Sequence, residues 1–226
     1  MEIIQGIHLV DGTSGNVYLI VEDKELMLID TGMPGNAKKI LGYVESELKR
    51  KPADIKTIIL THHHVDHAGS LYDMKKATNA KVAIHALDAD YISGKKKQVI
   101  KVKGMKSLII RIFGILFKAK NVEPDQLLKD NDSVKGYVVV HTPGHTEGSI
   151  SLYGPANKVI FVGDAIRNDK GILGESSAYS NQDSKAARRS IEKISKLDFE
   201  IMLSGHGEPL KSAAAEKVRE FYKNLH

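Results

Sequence analysis

Cysteine is absent from all 226 residues of the chain. A disulfide framework, a cysteine nucleophile and a thiolate metal ligand are therefore excluded. No apolar stretch reaches the ~18 residues needed to span a bilayer. The first residues show no uninterrupted apolar run after a basic start, so they do not resemble a signal peptide. We therefore expect a cytoplasmic protein with no membrane span.

The chain also lacks a strong net charge of either sign. Lysine and arginine number 33 against 28 aspartate and glutamate, which gives a formal net charge of +5. This excess slightly favours anionic small molecules and does not by itself indicate a nucleic-acid partner. Hydrophobic residues at 42% and charged residues at 27% are ordinary for a globular protein. We expect one domain over residues 1–226.

Short β-rich runs alternate with helical periodicity along the chain. The runs that predict strands are Glu2–Val10, Val17–Val21, Glu25–Ile29, Thr57–Leu60, Lys81–Ile84, Tyr137–Val140, Ser149–Tyr153, Val159–Val162 and Ile201–Leu203. Apolar residues at helical spacing predict four helices, which begin near Ala37, Leu71, Ala187 and Ala214. Two halves, each with strands first and helices after, favour two sheets packed face to face with helices outside.

Four candidate ligand side chains follow the apolar run Thr57–Leu60. His62 and His64 are two residues apart, so strand alternation would place them on one face, with His63 on the other. Asp66 and His67 come directly after. Imidazole and carboxylate groups without thiolate suit zinc, manganese or iron(II). A solvated loop is the alternative, but such a cluster at the end of a buried strand is costly unless something satisfies it.

Further ligand candidates follow other predicted strands: they are His145, Asp164 and His206. A glycine precedes each of them, which lets the backbone turn tightly and leaves room around an ion. A lone histidine or aspartate after a strand is usually structural. The repeated order of strand, glycine and then histidine or aspartate favours metal ligation instead.

The order of these groups resembles the metal-binding motifs of the metallo-β-lactamase superfamily. The matching residues are His62, His64, Asp66, His67, His145, Asp164 and His206, with Asp30 in Leu28-Ile29-Asp30-Thr31-Gly32 as the first motif. The resemblance covers nearly the whole chain. It implies an α/β fold, a four-layer αββα sandwich of two mixed sheets flanked by helices, with metal ions in a cleft along one edge of the sheets.

The resemblance also implies how two divalent ions are held. His62, His64 and His145 would hold one ion, and Asp66, His67 and His206 the other. Asp164 would bridge them. Zn²⁺ is the expected metal, with iron and manganese as alternatives. Asp30 would either take part directly or orient the ligands.

The remaining histidines are expected to be structural: they are His8, His63, His85 and His141. Thr146 and Ser149 are candidates for hydrogen bonds around the site. Two metals about 3.5–4 Å apart lower the pKa of a bridging water toward about 7, and the resulting hydroxide would attack a small ester, thioester or lactone. Asp66 is the candidate to pass the proton to the leaving group.

Several substrate classes remain open, because a fold does not fix a function. The bridging Asp164 and the lack of cysteine count against a classical β-lactam hydrolase. Glyoxalase II enzymes share the ligand set but add a C-terminal helical domain, whereas one short predicted helix follows His206. Lactonases also share the ligands, but those acting on acyl-homoserine lactones place a tyrosine where this chain has Arg167. Tyr179 could take the role of that tyrosine if the loop that carries Tyr179 folds back.

Two activities other than ester cleavage are the alternatives. A mononuclear iron persulfide dioxygenase would use only the set corresponding to His62, His145 and Asp164. A phosphodiesterase or nuclease is suggested only by a basic segment. A metal-binding module without activity is the weakest alternative, because seven ligands around a bridging position leave a water to activate.

The basic segment, about 93–120, resembles an inserted section that borders the metal cleft in many small hydrolases of the superfamily. It has nine lysine or arginine residues and no acidic residue. Its apolar stripe is formed by Leu108, Ile109, Ile112, Phe113 and Leu116. The stripe could line a pocket for an acyl chain, and the lysines could attract an anionic head group. The alternatives are packing on the sandwich, a homodimer interface or a membrane surface.

Overall fold

The structure is a computed structural model that describes residues 1–97, 119–176 and 181–225. The apolar stripe of the basic segment and five of its nine basic residues lie outside the described residues, and so does Tyr179. Contacts between Cα atoms group the chain into two compact units. The first unit comprises Met1–Ala83 and Ala89–Gln126, and the second Ile84–Asp88 and Leu127–His226. The prediction of one domain stays a prediction.

Most of a seven-stranded mixed sheet, in the order β1 to β7, belongs to the first unit. Its strands are β1 Glu2–Ile4, β2 Ile7–Leu9, β3 Tyr18–Val21, β4 Leu26–Ile29, β5 Ile55–Ile59, β6 Lys81–His85 and β7 Gln126–Leu128. The first four strands pair antiparallel, whereas β4, β5 and β6 pair parallel. All four residues of β4 are buried, as expected for a strand covered on both faces.

The second unit contains a five-stranded mixed sheet in the order β14-β11-β10-β9-β8, and a separate hairpin of β12 and β13. The strands are β8 Ser133–Val134, β9 Tyr137–His141, β10 Ile150–Gly154, β11 Val159–Gly163, β12 Ile166–Asp169, β13 Ile172–Glu175 and β14 Ile201–Ser204. β11 and β14 are parallel, and the other pairs of this sheet are antiparallel. Ile160, Ile191, Met202 and Val218 are part of one buried apolar cluster.

The helices are α1 Ala37–Ser46, α2 Val65–Ala68, α3 Leu71–Thr78, α4 Ala86–Ile92, α5 Ser184–Ser195 and α6 Ala214–Lys223, with a 3-10 turn at Pro52–Asp54. Helix α1 buries Ala37, Ile40 and Val44, which recur at the three- and four-residue spacing of one helix face. Among the described residues, none of the helices is long and apolar enough to cross a membrane.

The four predicted helices are confirmed as α1, α3, α5 and α6. The predicted strand Glu2–Val10 is instead a hairpin of two short strands, because Gly6 turns the chain with a φ of 77°. Helix α4 and the β12–β13 hairpin were not predicted. The hairpin has many polar residues. Buried and exposed residues alternate in β12 but not in β13, so hydrophobic periodicity did not predict a pair of strands.

Candidate metal centre

The first group of ligand candidates follows β5 in the first unit. The strand ends at Ile59, and His62 to His64 lie in the loop that leads into α2, with His64 extended at φ −62° and ψ 150°. The prediction that His62 and His64 share one face of a strand assumed that the strand continues to His64, whereas β5 ends at Ile59. The rings of His62 and His64 are nevertheless neighbours, with centroids 4.7 Å apart.

Helix α2 adds the other two side chains of this group. The centroid of the His67 ring lies 4.2 Å from that of His62, and both rings are fully buried. Nε2 of His67 lies 3.8 Å from a carboxylate oxygen of Asp66, whose side chain is 33% exposed. His63 is directed elsewhere, since its ring stacks on Tyr91 at 4.0 Å and 9°. The loop and α2 thus bring three imidazoles and one carboxylate together.

Asp30 supports this group from the end of β4. Its Oδ1 accepts a hydrogen bond of 2.8 Å from the Thr61 backbone N–H. Its Oδ2 accepts one of 2.8 Å from the Thr61 hydroxyl and lies 2.8 Å from Nδ1 of His67. Both Asp30 and His67 are buried, so the charge is stabilised by these bonds. In this arrangement Asp30 orients the imidazole rings.

The same bonds fix the proton positions on two imidazoles. The Thr61 hydroxyl has one proton, and it is donated to Asp30. Nδ1 of His62 lies 3.1 Å from that hydroxyl oxygen, so His62 must donate there. An ionised carboxylate only accepts, so His67 also carries its proton on Nδ1. Nε2 is therefore the nitrogen of both rings that can ligate a metal.

The second group of ligand candidates lies after three strands of the second unit. His145 follows β9, Asp164 follows β11 directly, and His206 follows β14. The Oδ2 atom of Asp164 lies 3.3 Å from Nε2 of His145 and 3.5 Å from Nε2 of His206. The side chains of His145 and Asp164 are almost completely buried, whereas that of His206 is 38% exposed. One carboxylate oxygen thus faces two imidazoles.

Asn181 orients His145, although no motif in the sequence points to it. The Oδ1 atom of Asn181 lies 3.2 Å from Nδ1 of His145, and its amide donates to the backbone oxygen of Ser176 at 3.3 Å. The Ser176 hydroxyl in turn donates to the backbone oxygen of Asp164. With Nδ1 donating to Asn181, Nε2 of His145 is left to ligate a metal, as in the first group.

The glycine before His145 has a positive φ, in agreement with the predicted turn, and it lies close to the backbone of α5. Gly144 has a φ of 136°, and a Cβ there would lie 2.2 Å from the backbone nitrogen of Ala187. A close approach was not predicted at Gly15, where a Cβ would lie 2.5 Å from the backbone oxygen of Asp66. Any side chain at either position would displace a segment that carries a ligand candidate.

Two other histidines form a pair in the second unit. The rings of His85 and His141 stack at 4.2 Å and 8°. Burial lowers the pKa of His85, and the nearby His141 lowers it further. His8 in the first unit lies 3.1 Å from the Tyr43 hydroxyl. Each of these side chains has a structural contact of the kind expected from the sequence.

Comparison with known proteins decides the family. The family model described as the metallo-beta-lactamase superfamily matches residues 10–206. The chain belongs to this superfamily. It is similar to the probable metallo-hydrolase YflN of Bacillus subtilis (strain 168), with 31% identity over 92% of this chain and 86% of the relative. It is also similar to the acyl-coenzyme A thioesterase MBLAC2 of Homo sapiens, with 26% identity over 86% of this chain and 74% of the relative.

Solved structures show the same fold. The metallo-beta-lactamase family protein TTHA1429 from Thermus thermophilus has a TM-score of 0.75 and 20% identity, covering 99% of this chain and 80% of that one. At this identity the similarity establishes the fold alone. The predicted superfamily and its α/β fold class, with two mixed sheets and helices, are confirmed.

The donor set agrees with the metal chemistry of the superfamily. The described residues include a cluster of histidine and aspartate side chains capable of binding metal ions. Imidazole nitrogens and carboxylate oxygens suit zinc, manganese and iron(II). Their hydrogen bonds to Asp30, Thr61 and Asn181 direct Nε2 for ligation, which is how metal-binding histidines are usually supported. The residues present therefore fit the metal, and the protein is a superfamily hydrolase with a metal site.

Proposed function

We propose that this protein is a dinuclear metal-dependent hydrolase that cleaves a small thioester, ester or lactone, with a thioester favoured. The observation that carries the proposal is the position of Asp164, whose Oδ2 lies within 3.5 Å of Nε2 of both His145 and His206. A carboxylate that faces two ligating nitrogens is placed to be shared between two ions.

The proposed ligand sets follow the superfamily motifs. His62, His64 and His145 would hold one ion, Asp66, His67 and His206 would hold the other, and Asp164 would contact both. Support comes from the family membership and from the ligand geometry within each unit. Zn²⁺ is the proposed metal, because nitrogen-rich sites with carboxylates and without thiolates suit it. Iron and manganese are the alternatives.

The bound metals would supply a water of near-neutral pKa and polarise the scissile carbonyl. Asp66 is the proposed catalytic residue of the chain itself. Its carboxylate is partly exposed, at 33%, whereas the His67 beside it is fully buried. A partly exposed carboxylate can both contact a metal and reach a substrate. We assign it the transfer of a proton to the leaving group.

The thioester is favoured by the relatives and by Arg167. The human relative is named as an acyl-coenzyme A thioesterase. Arg167 stands where the resemblance to acyl-homoserine lactonases calls for a tyrosine, and its guanidinium forms an ion pair with Asp169. A guanidinium can donate but cannot accept a hydrogen bond, so it does not replace both roles of a phenol.

An anionic part of the substrate is proposed to bind at a cavity of the first unit. The cavity has a volume of about 350 Å³ and is lined by Tyr72, Lys75, Lys76, Asn121, Val122 and Glu123. The ammonium of Lys120 lies 4.5 Å from the centre of the Tyr72 ring, a cation–π distance. Lys75 is already paired with Asp125 at 2.6 Å. An exposed aromatic ring beside Lys76 and Lys120 suits the nucleotide end of a coenzyme thioester.

The experiment that tests the proposed function combines elemental analysis with a substrate panel. Purified protein is assayed for metal content and for hydrolysis of acyl-coenzyme A, simple ester, lactone and phosphodiester substrates. We expect two ions per chain and the highest kcat/KM on a thioester. One iron per chain with oxygen uptake on a persulfide would contradict the proposal and favour the dioxygenase. RNA cleavage with steeply salt-dependent binding would favour the nuclease. The cytoplasmic location and a homodimer stay predictions.

A further inference from the structure

A buried aspartate that the sequence analysis did not single out lies beside the His145 loop. Asp88, on α4, has no exposed surface. Its Oδ2 accepts a hydrogen bond of 2.8 Å from the Thr146 hydroxyl, and its Oδ1 accepts one of 2.9 Å from the Gly148 backbone N–H. A buried carboxylate is costly unless such bonds compensate for the lost water. Both donors belong to the eight-residue loop from Thr142 to Ser149.

The loop itself is closed by short hydrogen bonds. The backbone N–H of Thr142 donates to the oxygen of Ser149 at 2.9 Å, and that of Gly144 donates to the oxygen of Thr146 at 2.9 Å. The Thr146 backbone N–H donates to the Ser149 hydroxyl at 3.0 Å. These bonds tie the parts of the loop together, and Asp88 is bonded to it at the residue directly after His145.

Gly148 shows how closely Asp88 approaches the loop. A Cβ at Gly148 would lie 2.5 Å from Oδ1 of Asp88 and 2.7 Å from its backbone nitrogen. A contact below about 3 Å to backbone cannot be relieved by a rotamer change. The glycine is therefore explained by the approach of the aspartate rather than by a turn.

We propose that Asp88 is a positioning residue that sets the metal-binding geometry of His145. Asn181 orients the ring of His145 through Nδ1, and Asp88 holds the backbone one residue further along through Thr146. Together they fix where Nε2 lies, which is what supporting hydrogen bonds do around metal ligands. The inference rests on the proposed role of His145 as a ligand.

The test measures binding of Co²⁺ alone, without substrate, by titration of its visible absorption. In Asp88→Ala both bonds are lost, and we expect a loss of about 10–100-fold in metal affinity with an altered spectrum. In Asp88→Asn one oxygen can still accept from Gly148, and the amide can donate to Thr146. We therefore expect a smaller loss, below about tenfold. The matched control is Asp90→Ala on the same helix, whose carboxylate is 46% exposed and lies 3.6 Å from Lys96.

A second variant keeps the inference testable if Asp88→Ala does not fold. Thr146→Val removes the hydroxyl with little change in shape, and Thr146→Ser retains it. We expect weakened Co²⁺ binding in the valine variant and near-normal binding in the serine variant. Amide exchange of Gly148 in metal-free protein should quicken in Thr146→Val, because the loop is less firmly held.

The outcomes separate this inference from the proposed function. Wild-type affinity and spectrum in both Asp88→Ala and Thr146→Val, with only a lowered melting temperature, would make Asp88 merely structural and overturn the inference. Absence of Co²⁺ binding by the parent protein would overturn it together with the metal centre. If the variants lose metal as expected but the parent hydrolyses none of the panel, the positioning role stands and the proposed function fails.

Discussion

Nδ1 of His67 lies 2.8 Å from the carboxylate of Asp30, and both side chains are buried. The same carboxylate accepts the proton of the Thr61 hydroxyl, which makes that oxygen the acceptor for His62. A single carboxylate therefore fixes the tautomer of two proposed ligands in the first unit. Asp30 has a positive φ of 60°, a conformation that aspartate and asparagine adopt more readily than most residues.

Asp30→Asn tests this control of the tautomer. Asparagine keeps the shape and tolerates the backbone, but its amide nitrogen presents a donor where the carboxylate accepted. We expect one imidazole to move its proton to Nε2 and the metal affinity to fall about 10–100-fold. Nitrogen chemical shifts of the imidazoles in the metal-free protein report the tautomer, and a chelator competition reports the affinity. Asp11→Asn, whose side chain is 66% exposed, is the control and should change neither.

Replacement of Asp164 removes the carboxylate that is proposed to be shared between two ions. We expect Asp164→Ala and His64→Ala to abolish measurable hydrolysis of the preferred substrate, because two-metal chemistry requires both ions at a fixed separation. The assay compares kcat/KM after metal loading, with circular dichroism to check folding. His8→Gln, whose imidazole lies 3.1 Å from the Tyr43 hydroxyl, is the control and should retain activity. Full activity in metal-loaded Asp164→Ala protein would refute its assignment.

The motif residues could be proposed from the sequence for two reasons. Some of them are close together in the chain, and the others come soon after a predicted strand. The order His62 to His67 is local, and each of His145, Asp164 and His206 comes within a few residues of a predicted strand. These signals do not require the strand itself to reach the ligand candidates, since β5 ends at Ile59, three residues before His62.

The supporting residues could not be identified in this way. Asp88 contacts a loop some 60 residues further along, and Asn181 reaches His145 across 36 residues. Neither follows a motif, and an aspartate on a short helix usually indicates a solvated surface. Such roles depend on tertiary contacts, which hydrophobic periodicity does not encode. Asp30 was left open between two roles for the same reason.

Asp66→Asn tests proton transfer to the leaving group. An amide cannot donate or accept a proton at neutral pH, so we expect kcat to fall about 10²–10⁴-fold with KM changed much less. Metal content must be measured on the same sample, since Asp66 is also a proposed ligand. A variant that retains two ions and loses kcat supports the transfer role. Unchanged kcat in fully loaded protein would remove Asp66 from the catalytic step.

The stacked pair of His85 and His141 makes stability depend on pH. Burial, and then the charge of His141, lowers the pKa of His85 below its ordinary value of about 6.5. The unfolded chain therefore binds a proton there before the folded one does, and the free energy of unfolding decreases as the pH falls below about 6.5. His85→Gln should flatten this part of the profile. Urea unfolding between pH 8 and pH 5 measures it, and an equal slope in both proteins would contradict the prediction.

Charge reversal at the cavity lined by Tyr72 and Lys76 tests the anionic end of the substrate. Lys76 is exposed on α3, so its contribution to binding is modest and screened by salt. We expect Lys76→Glu to raise KM for an acyl-coenzyme A about three- to tenfold and to leave kcat unchanged. The same acyl group on N-acetylcysteamine, which lacks the nucleotide, should show no change. Lys38→Glu on α1, equally exposed, is the matched control. Equal effects of Lys76→Glu on both substrates would show that the nucleotide does not bind at this cavity.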